Sequence, residues 1–287
     1  MILDGKKVSD EIISRVKEEV IRLEKKPKVV DIVIGDDLSS LAYTKRKQSA
    51  CNKVGIDFEF VNFNSNTLEE EIISYIENLN NDKNIDAIMI QIPIPDRFNT
   101  NRIINSISFN KDVDGLTNYN RLNNNIIPCT PKAILKILDY YNIDLKNKKV
   151  VLVGRGVLVG NPLFELLKKE ECNLIVCNSK TENLSTITNS ADILICATNR
   201  CNIITKDMVN NNCIILDAGS SYIEGKIYGN VCKDVYDKVK YITPVPGGIG
   251  PVTVASFIEN VLICYRKNRK IEYNEYTIII NRRKYEE

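Results

Sequence analysis

Tyr43 and Lys47 form the most suggestive pair of side chains in this sequence. They stand four residues apart in a segment, 39–54, whose pattern predicts a helix, so both project from the same helical face. A tyrosine ring there can stack on a flat ligand, and the neighbouring amine can act as an acid or a base. The same spacing is also common between surface side chains.

The sequence contains no histidine, which excludes Ser-His-Asp and Cys-His catalysis and most zinc chemistry. Proton transfer near neutral pH must therefore come from Lys, Asp, Glu, Tyr or Cys with a shifted pKa. The nine cysteines include no C-x-x-C pair, and their odd number argues against a disulfide framework. We expect most of them to be buried free thiols.

Two polar positions in the first half stand where ligands are commonly bound. Gln91 closes an apolar strand, and open α/β sheets bind ligands at the C-terminal ends of their strands. Asp114 belongs to a compact acidic turn, Lys111-Asp-Val-Asp-Gly115. Aspartate is frequent in turns for structural reasons, so the turn pattern leaves Asp114 as either a ligand contact or a turn residue.

A glycine-rich segment in the second half predicts a nucleotide-binding loop. Gly154, Gly156 and Gly160 follow an apolar strand and precede a helix that starts at Asn161-Pro162. Glycines permit a tight turn and the close approach of a pyrophosphate, and a helix N-terminus offers free N–H groups. An ordinary strand-to-helix turn is the alternative interpretation of this loop alone.

The end of the next strand bears on the choice of nucleotide. NAD-binding folds usually place a carboxylate there to bind the ribose 2′-hydroxyl, but residues 177–181 contain none. Arg155, Ser179 and Lys180 can instead contact a 2′-phosphate, which favours NADP. The alternative for Lys180 is a solvated surface charge.

The loop 243–251 combines three prolines and three glycines in nine residues. Proline stiffens a backbone and glycine permits close approach, so the composition is typical of a rigid loop that binds a ligand through its backbone.

Apolar periodicity predicts an α/β fold in two halves. In the first, a helix with Val8, Ile12, Val16 and Val20 on one stripe opens a βαβαβ series, which predicts a parallel sheet covered on both faces. Thr67-Leu-Glu-Glu70 fits a capping box. The Asn- and Asp-rich stretch 96–127 is the expected passage between domains. Helices are expected at 8–23, 39–54, 68–79, after Pro131 and at 252–265, and strands at 29–34, 58–63, 85–92, 150–153, 174–177, 193–197 and 214–216.

The composition excludes several classes of protein. Of the 287 residues, 44% are hydrophobic and 26% charged, which is typical of globular proteins, and a net charge of +2 argues against a nucleic-acid partner. No apolar run approaches the roughly 18 residues of a membrane helix. The N-terminal segment Met1–Gly5 contains the acidic residue Asp4, where a signal peptide would have an apolar stretch. We expect a cytoplasmic protein.

In order along nearly the whole chain, these segments resemble the bifunctional methylenetetrahydrofolate dehydrogenase/methenyltetrahydrofolate cyclohydrolase family. The acidic turn and the loop 243–251 are specific to that family. The resemblance is carried by Asp4-Gly5-Lys6, Gly35-Asp36-Asp37 with Ser39 and Ser40, Tyr43-x-x-x-Lys47, Gln91-Ile-Pro-Ile-Pro95, Lys111-Asp-Val-Asp-Gly115, Pro128-Cys-Thr-Pro131, Gly154-Arg155 with Val159-Gly160-x-Pro162, and Thr243-Pro-Val-Pro-Gly-Gly-Ile-Gly-Pro-Val-Thr253.

The resemblance implies an α/β protein of two domains with the active site in the cleft between them. An N-terminal α/β folate domain would comprise 1–122 plus 255–287, with the C-terminal helix returning to it, and a Rossmann-type NAD(P)-binding domain would comprise 123–254. The implied assembly is a homodimer. The implied ligands are tetrahydrofolate derivatives and NADP, with no metal.

The implied reactions are oxidation of 5,10-methylenetetrahydrofolate with NADP⁺ and hydrolysis of the methenyl product to 10-formyltetrahydrofolate. The resemblance makes Lys47 the central acid and base, with Gln91 orienting it and Asp114 binding the pterin, and Tyr43 stacking on the folate. It also assigns substrate binding to Pro246, Gly247 and Gly248, and cofactor binding to Thr130, Gly154, Arg155, Gly156, Gly160, Ser179 and Thr181.

All departures from the family pattern lie in the cofactor half. Gly156 and Asn178 stand where the family usually has Ser and His, and the others are at Ala133, 217–221 and 229–231. They keep open a cyclohydrolase with a weak or lost dehydrogenase. A non-catalytic folate- or nucleotide-binding protein is a third interpretation.

Overall fold

The computed structural model describes residues 1–123 and 125–271, which form two compact units. Unit 1 comprises Met1–Ser9 with Thr130–Thr253. Unit 2 comprises Asp10–Cys129 with the segment from Val254 onward. The predicted domain boundaries at 122/123 and 254/255 stay a prediction.

Unit 2 is built on a parallel three-stranded sheet in the order β2-β1-β3. Every residue of the central strand β1 after its first is buried, and all of these except Asp31 are apolar, which is typical of a strand covered on both faces. The strands are β1 (Lys28–Ile34), β2 (Asp57–Phe63) and β3 (Ala87–Ile90), and the helices are α1 (Gly5–Ile21), α2 (Leu38–Val54), α3 (Glu69–Asn81), α4 (Thr100–Asn105) and α5 (Asn118–Asn123).

The local signals for α1 and α2 are confirmed. The four residues of the predicted α1 stripe, Val8, Ile12, Val16 and Val20, are all buried. The Asp37 side chain accepts a hydrogen bond from the Ser40 amide at the start of α2, and Gly55, at φ +84°, ends that helix in the left-handed conformation.

The capping box predicted at 67–70 is wrong. Helix α3 begins at Glu69 after Leu68, which has no side-chain cap and is exposed. Glu69 and Glu70 both pair with Arg102 of α4, and Glu69 also accepts from the Asn99 amide, so both carboxylates bind a later segment of the chain. The rest of the predicted apolar face, Ile72, Ile73, Ile76 and Leu79, is buried.

The stretch 96–127, predicted to be a passage between domains, lies within unit 2 and contains α4 and α5. Its acidic turn pairs with the sheet, since the Ile88 amide donates to the Lys111 carbonyl and the Val113 amide to the Ile88 carbonyl. Its composition hid this role, because the buried apolar residues Phe98, Ile103 and Ile107 stand in short runs between polar residues.

Unit 1 contains a parallel five-stranded sheet in the order β10-β7-β6-β4-β5. The neighbours of β4 are β5 on one side and β6 on the other, so the chain changes direction across the sheet at β4, the point where such folds bind ligands. The strands are β4 (Lys149–Val153), β5 (Asn173–Cys177), β6 (Ile193–Cys196), β7 (Ile214–Asp217), β8 (Ser221–Ile223), β9 (Lys226–Tyr228) and β10 (Tyr241–Ile242), and β8 and β9 form a separate antiparallel pair. The helices are α6 (Cys129–Tyr140), α7 (Gly160–Leu167) and α8 (Leu184–Asn189), and α9 (Ile249–Asn268) begins in this unit and continues in unit 2.

The predicted two-domain α/β class is confirmed, including the return of the C-terminal helix to the first domain. From Val254 onward, α9 packs within unit 2, where Arg266 pairs with Glu19 at 2.7 Å and Glu259 pairs with Arg15. The Asn260 side chain donates to the carbonyls of Val113 and Ile127 at 2.9 Å each. These bonds fix the helix beside the acidic turn.

The remaining expectations concern the cysteines, membrane segments and the tail. None of the nine cysteines forms a disulfide among the described residues, and six are buried, as predicted. In the described part of the chain, no helix is long and apolar enough to cross a membrane. The segment 276–280, whose Tyr-Thr-Ile-Ile-Ile sequence has strand propensity, lies outside the described residues.

Candidate active site

Lys47 lies in the interior of unit 2 with only 1% of its surface exposed. Its Nζ is 4.6 Å from the centroid of the Tyr43 ring and 5.2 Å from that of Phe257 on α9. The structure thus brings the predicted Tyr–Lys pair together. Nζ also lies 2.8 Å from Sδ of Met89 on β3, and a thioether accepts hydrogen bonds without donating them. The lone pair of a neutral Lys47 amine is therefore left available for a proton.

Burial lowers the pKa of Lys47, because the interior penalises the charged ammonium. The carboxylates of Asp31 and then Asp114 oppose that shift. The amine consequently has a larger neutral fraction near pH 7 than an exposed lysine has.

Asp31, in the middle of β1, is a site residue that the sequence analysis missed. It is 0% exposed, and its carboxylate accepts from Thr44 Oγ1 at 2.8 Å and from Gln91 Nε2 at 2.7 and 2.9 Å. Burial raises the pKa of Asp31, while Lys47, Gln91 and Thr44 lower it. The available signal was an acid inside an otherwise apolar strand.

Gln91 follows the end of β3, as predicted, and is buried. The resemblance implied that it orients Lys47. Its amide nitrogen donates to both oxygens of Asp31. The orienting role towards Lys47 stays a prediction.

The two aspartates of the acidic turn, Asp112 and Asp114, have different surroundings. Asp112 is 1% exposed and accepts from the amides of Leu116 and Thr117 and from the side chain of Asn120. It is the carboxylate that holds the turn. Asp114 is half-buried, and its carboxylate has no hydrogen-bond donor among the residues described. That carboxylate can accept bonds from a ligand.

The glycines of the nucleotide loop differ in their steric roles. Gly154 has φ +110°, and a Cβ there would lie 2.3 Å from the Ala197 carbonyl oxygen. A Cβ at Gly160 would lie 2.3 Å from the Gly154 carbonyl oxygen, whereas one at Gly156 would meet nothing within 4 Å. Close backbone packing therefore requires Gly154 and Gly160 but not Gly156.

Arg155 is exposed, and its guanidinium is held at one edge. Its Nε donates to Asn161 Oδ1 at 2.9 Å, and its Cζ lies 4.2 Å from the Phe164 ring centroid. Its terminal nitrogens make no hydrogen bond within the described part of the chain. Because α7 holds the guanidinium through Nε, its two terminal nitrogens can bind an anion.

The turn after β5 lies beside this loop, because Val153 and Cys177 are in register and the Gly154 amide donates to the Cys177 carbonyl. Ser179 and Lys180 are exposed, and the Thr181 hydroxyl accepts from the Asn178 amide at 2.8 Å. Thr181 thus shapes the turn that presents Ser179.

The proline- and glycine-rich loop packs on the N-terminal segment within unit 1. The Gly5 amide donates to the Gly247 carbonyl at 3.1 Å, and a Cβ at Gly5 would lie 1.7 Å from the Gly248 oxygen. Pro246, which follows a cis peptide bond, is exposed. Thr130 is half-buried, with its hydroxyl 3.4 Å from that of Thr253.

Asp217 is a second buried aspartate that the sequence analysis left without a role. At the end of β7 it accepts from the amides of Gly219, Asn230 and Val231. The Asn230 side chain in turn binds Thr198, which follows β6. The pair fixes the loops at the same sheet edge as the glycine-rich loop.

Models of the two tetrahydrofolate dehydrogenase/cyclohydrolase domains match nearly the whole chain. The catalytic-domain model matches residues 3–114, and the NAD(P)-binding-domain model matches residues 128–269. This chain belongs to that family. The second match extends through α9, although the contacts of α9 from Val254 onward are within unit 2.

Relatives in this family align with more than nine tenths of the chain. It is 40% identical over 274 residues to the bifunctional protein FolD of Hydrogenobaculum, covering 93% of this chain and 99% of that protein. The crystal structure of FolD from Campylobacter jejuni is 36% identical with a TM-score of 0.89, covering 93% of this chain and 99% of that one. The enzyme from Trypanosoma brucei, solved with NADP and an inhibitor, is 28% identical with a TM-score of 0.89, covering 94% and 98%.

Proposed function

We propose that this protein oxidises 5,10-methylenetetrahydrofolate with NADP⁺ and hydrolyses the methenyl product to 10-formyltetrahydrofolate. The observation that carries this function is Lys47 in a family member: a buried amine, beside an aromatic ring, whose pKa is lowered by burial. A pure binding protein has no use for such an amine, since burying it costs free energy.

The hydrolytic step requires a base, because water must lose a proton as it adds to the methenyl carbon. Neutral Lys47 supplies that base, and no hydrogen bond from Met89 competes for its lone pair. The Tyr43 ring is the flat surface on which the folate ring system stacks. Asp114 accepts hydrogen bonds from the pterin N–H groups, which the other aspartate of the turn cannot do because it is already bonded.

The residues of unit 1 fit NADP. The glycine positions that a Cβ would block leave backbone N–H groups open at the start of α7, the arrangement that binds a pyrophosphate. Gly154, Gly160 and Thr130 would hold the dinucleotide, and Arg155 with Ser179 would hold its 2′-phosphate. When bound, NADP⁺ accepts the hydride from the methylene carbon. The protein's contribution to that step is positioning, which needs no histidine and no metal.

One pair of assays separates the candidate functions. Reduction of NADP⁺ with methylenetetrahydrofolate reports the dehydrogenase, and loss of methenyltetrahydrofolate reports the cyclohydrolase. Both activities are expected. Hydrolysis without reduction would instead indicate a cyclohydrolase alone, which the departures at Gly156 and Asn178 favour as the second candidate. The absence of both would contradict the proposal.

Lys47→Met tests the role of the amine. Methenyl hydrolysis is expected to fall by at least about a hundredfold, because general acid–base catalysis contributes that much. Circular dichroism should show an unchanged fold. Lys45→Met, which removes an exposed lysine from the same helix, is the matched control and should hydrolyse at the wild-type rate. Near-normal hydrolysis by Lys47→Met would exclude Lys47 from the mechanism.

Arg155→Ala tests the preference for NADP. One charge-assisted contact of about 1.5–3 kcal/mol corresponds to roughly 10- to 150-fold discrimination, and Gly156 adds no side chain to it. The wild type should therefore favour NADP over NAD in the lower part of that range, and the variant should lose the preference. Steady-state kinetics with both cofactors measure it; a wild type that favours NAD would show the pocket assignment to be wrong.

The assembly and cellular location follow from family membership alone. The protein is proposed to be a cytoplasmic homodimer paired through its cofactor domain. Light scattering coupled to size-exclusion chromatography measures the mass in solution, and a mass of one chain would contradict the dimer.

A further inference from the structure

Asp31 is a buried acidic residue of unit 2 to which the proposed reactions assign no role. We propose that Asp31 is a positioning residue of the cyclohydrolase site: it fixes the orientation of the Gln91 amide and supplies the negative charge that Lys47 faces inside the protein. The inference rests on the proposed function.

The orientation of the Gln91 amide follows from hydrogen-bond chemistry. An ionised carboxylate can only accept, so the amide group of Gln91 must turn its nitrogen towards Asp31 and its oxygen away. Nε2 contacts both carboxylate oxygens, at 2.7 and 2.9 Å, and Thr44 Oγ1 donates to Oδ2 at 2.8 Å. Thr44 on α2 and Gln91 at the end of β3 therefore hold the carboxylate, and the carboxylate holds the glutamine in one of its two amide orientations.

Ionisable groups on several elements act on Lys47, whereas β3 and α9 contribute the uncharged side chains of Met89 and Phe257. Asp31 on β1 makes the largest favourable contribution, followed by Asp114 in the acidic turn, and then by the thiols of Cys129 at the start of α6 and Cys51 on α2. Burial, with Asp31 next, raises the pKa of the Cys51 thiol, which is therefore neutral near pH 7. The main fixed negative charge that opposes the desolvation of Lys47 is accordingly Asp31.

A purely structural purpose does not account for this aspartate. Burying a carboxylate costs desolvation free energy, and an apolar residue of similar volume is often as stable or more so. The other residues of β1 from Val29 to Ile34 are apolar and buried. The one acid in that run, Asp31, binds Gln91 and also Thr44, which lies three residues before Lys47 on α2.

Asp31→Asn is the deciding variant, because it keeps the shape and removes the charge. Water activation needs neutral Lys47, so the hydrolysis rate rises with pH through the pKa of that amine. Without the opposing negative charge this pKa falls further, and the acid limb of the kcat profile should move to lower pH by at least about one unit. The plateau kcat should also fall, since two amides facing each other allow Gln91 both orientations, while KM stays within about twofold.

Two control variants separate charge from packing. Asp57→Asn removes an exposed carboxylate from the neighbouring strand β2 and should leave the profile in place. Thr44→Val removes one hydrogen bond from Asp31 but keeps its charge and its contact with Gln91. Its profile should move by less than half of the shift in Asp31→Asn. Rates are corrected for hydrolysis in enzyme-free buffer, and thermal melts by circular dichroism verify folding.

A second measurement does not depend on activity. The ε-¹³C resonance of Lys47, assigned by its absence in Lys47→Met, reports the protonation of the amine directly. It should titrate at lower pH in Asp31→Asn than in the wild type and at the same pH in Asp57→Asn. In the wild type, the chemical shift of the Lys47 ε-carbon should also change at the pH at which the Asp31 carboxylate is protonated.

These arms keep the two proposals distinguishable. An unshifted Lys47 titration in folded Asp31→Asn would overturn the inference, whatever the enzyme's activity. If that variant does not fold, the wild-type protein still decides the matter. A Lys47 chemical shift that does not change when Asp31 is protonated would also overturn the inference. A wild type that fails to hydrolyse methenyltetrahydrofolate would overturn the proposed function instead, while the Lys47 resonance still decides the electrostatic pairing.

Discussion

The two aspartates of the acidic turn show how much a single side chain's partners matter. Both belong to one five-residue motif. The Asp112 carboxylate accepts hydrogen bonds from two backbone amides and from the Asn120 side chain, whereas the Asp114 carboxylate has no donor among the described residues. The motif therefore combines a structural carboxylate with one that is open to a ligand.

Asp114→Asn is expected to weaken folate binding by at least about tenfold, because a charge-assisted hydrogen bond is worth about 1.5–3 kcal/mol. NADP binding, which involves unit 1, should not change. Titration with each ligand measures both. A loss of NADP affinity instead would show that the assignment of this turn to folate binding is wrong.

Asp112→Asn is the matched comparison. Its new amide group would face N–H donors, so the free energy of unfolding should fall by about 1–3 kcal/mol in urea denaturation. Asp114→Asn should leave that free energy nearly unchanged. A reversed pattern would mean that the two aspartates have exchanged the roles assigned here.

The strand–loop–helix element at β4 and α7 makes a similar distinction among glycines. Gly154→Ala places a Cβ 2.3 Å from a carbonyl oxygen of the adjacent strand's loop, at a φ that alanine avoids. The loop must shift, so NADP affinity should fall at least about tenfold and Tm should fall with it. Isothermal titration and thermal melts measure the two effects.

Gly156→Ala is the control for that element, since nothing lies within 4 Å of its added Cβ. NADP affinity and Tm should stay close to wild type. An effect as large as that of Gly154→Ala would show that backbone freedom at Gly156, rather than space around Gly154, limits the loop.

Across the whole molecule, the chain order is interleaved: unit 2 is interrupted by most of unit 1 and completed only from Val254 onward. A chain ending at Thr253 would lose Phe257, Asn260 and the ion pairs of α9 with α1. Limited proteolysis should then cut within 10–129 while 130–253 stays resistant. A chain ending at Ile271 keeps all of α9 and should resist cleavage in both units; equal resistance of the two truncations would contradict this account of α9.

Elements with a local signal were predictable from the sequence. The stripe of α1, the cap and terminal glycine of α2, and the order of parallel strands follow from periodicity and from residues that act on their immediate neighbours. The capping box at 67–70 failed because the helix begins one residue later, after Leu68, and Glu70 pairs instead with Arg102, some thirty residues further along the chain. The stretch 96–127 was misread because its apolar core residues, among them Phe98, Ile103 and Ile107, are scattered among polar residues, and because its turn pairs with β3 only in the folded chain.

The candidate site divides in the same way. Sequence alone established Tyr43 and Lys47 on one helical face, Gln91 at a strand end and the glycine-rich loop, because spacing along one element fixes each of them. Folding was needed to join Gln91 to Asp31, sixty positions away, and to bring Phe257 over Lys47. Burial and charge depend on which distant residues surround a group, so the shifted pKa of Lys47 and the position of Asp31 beside it exist only in the folded chain.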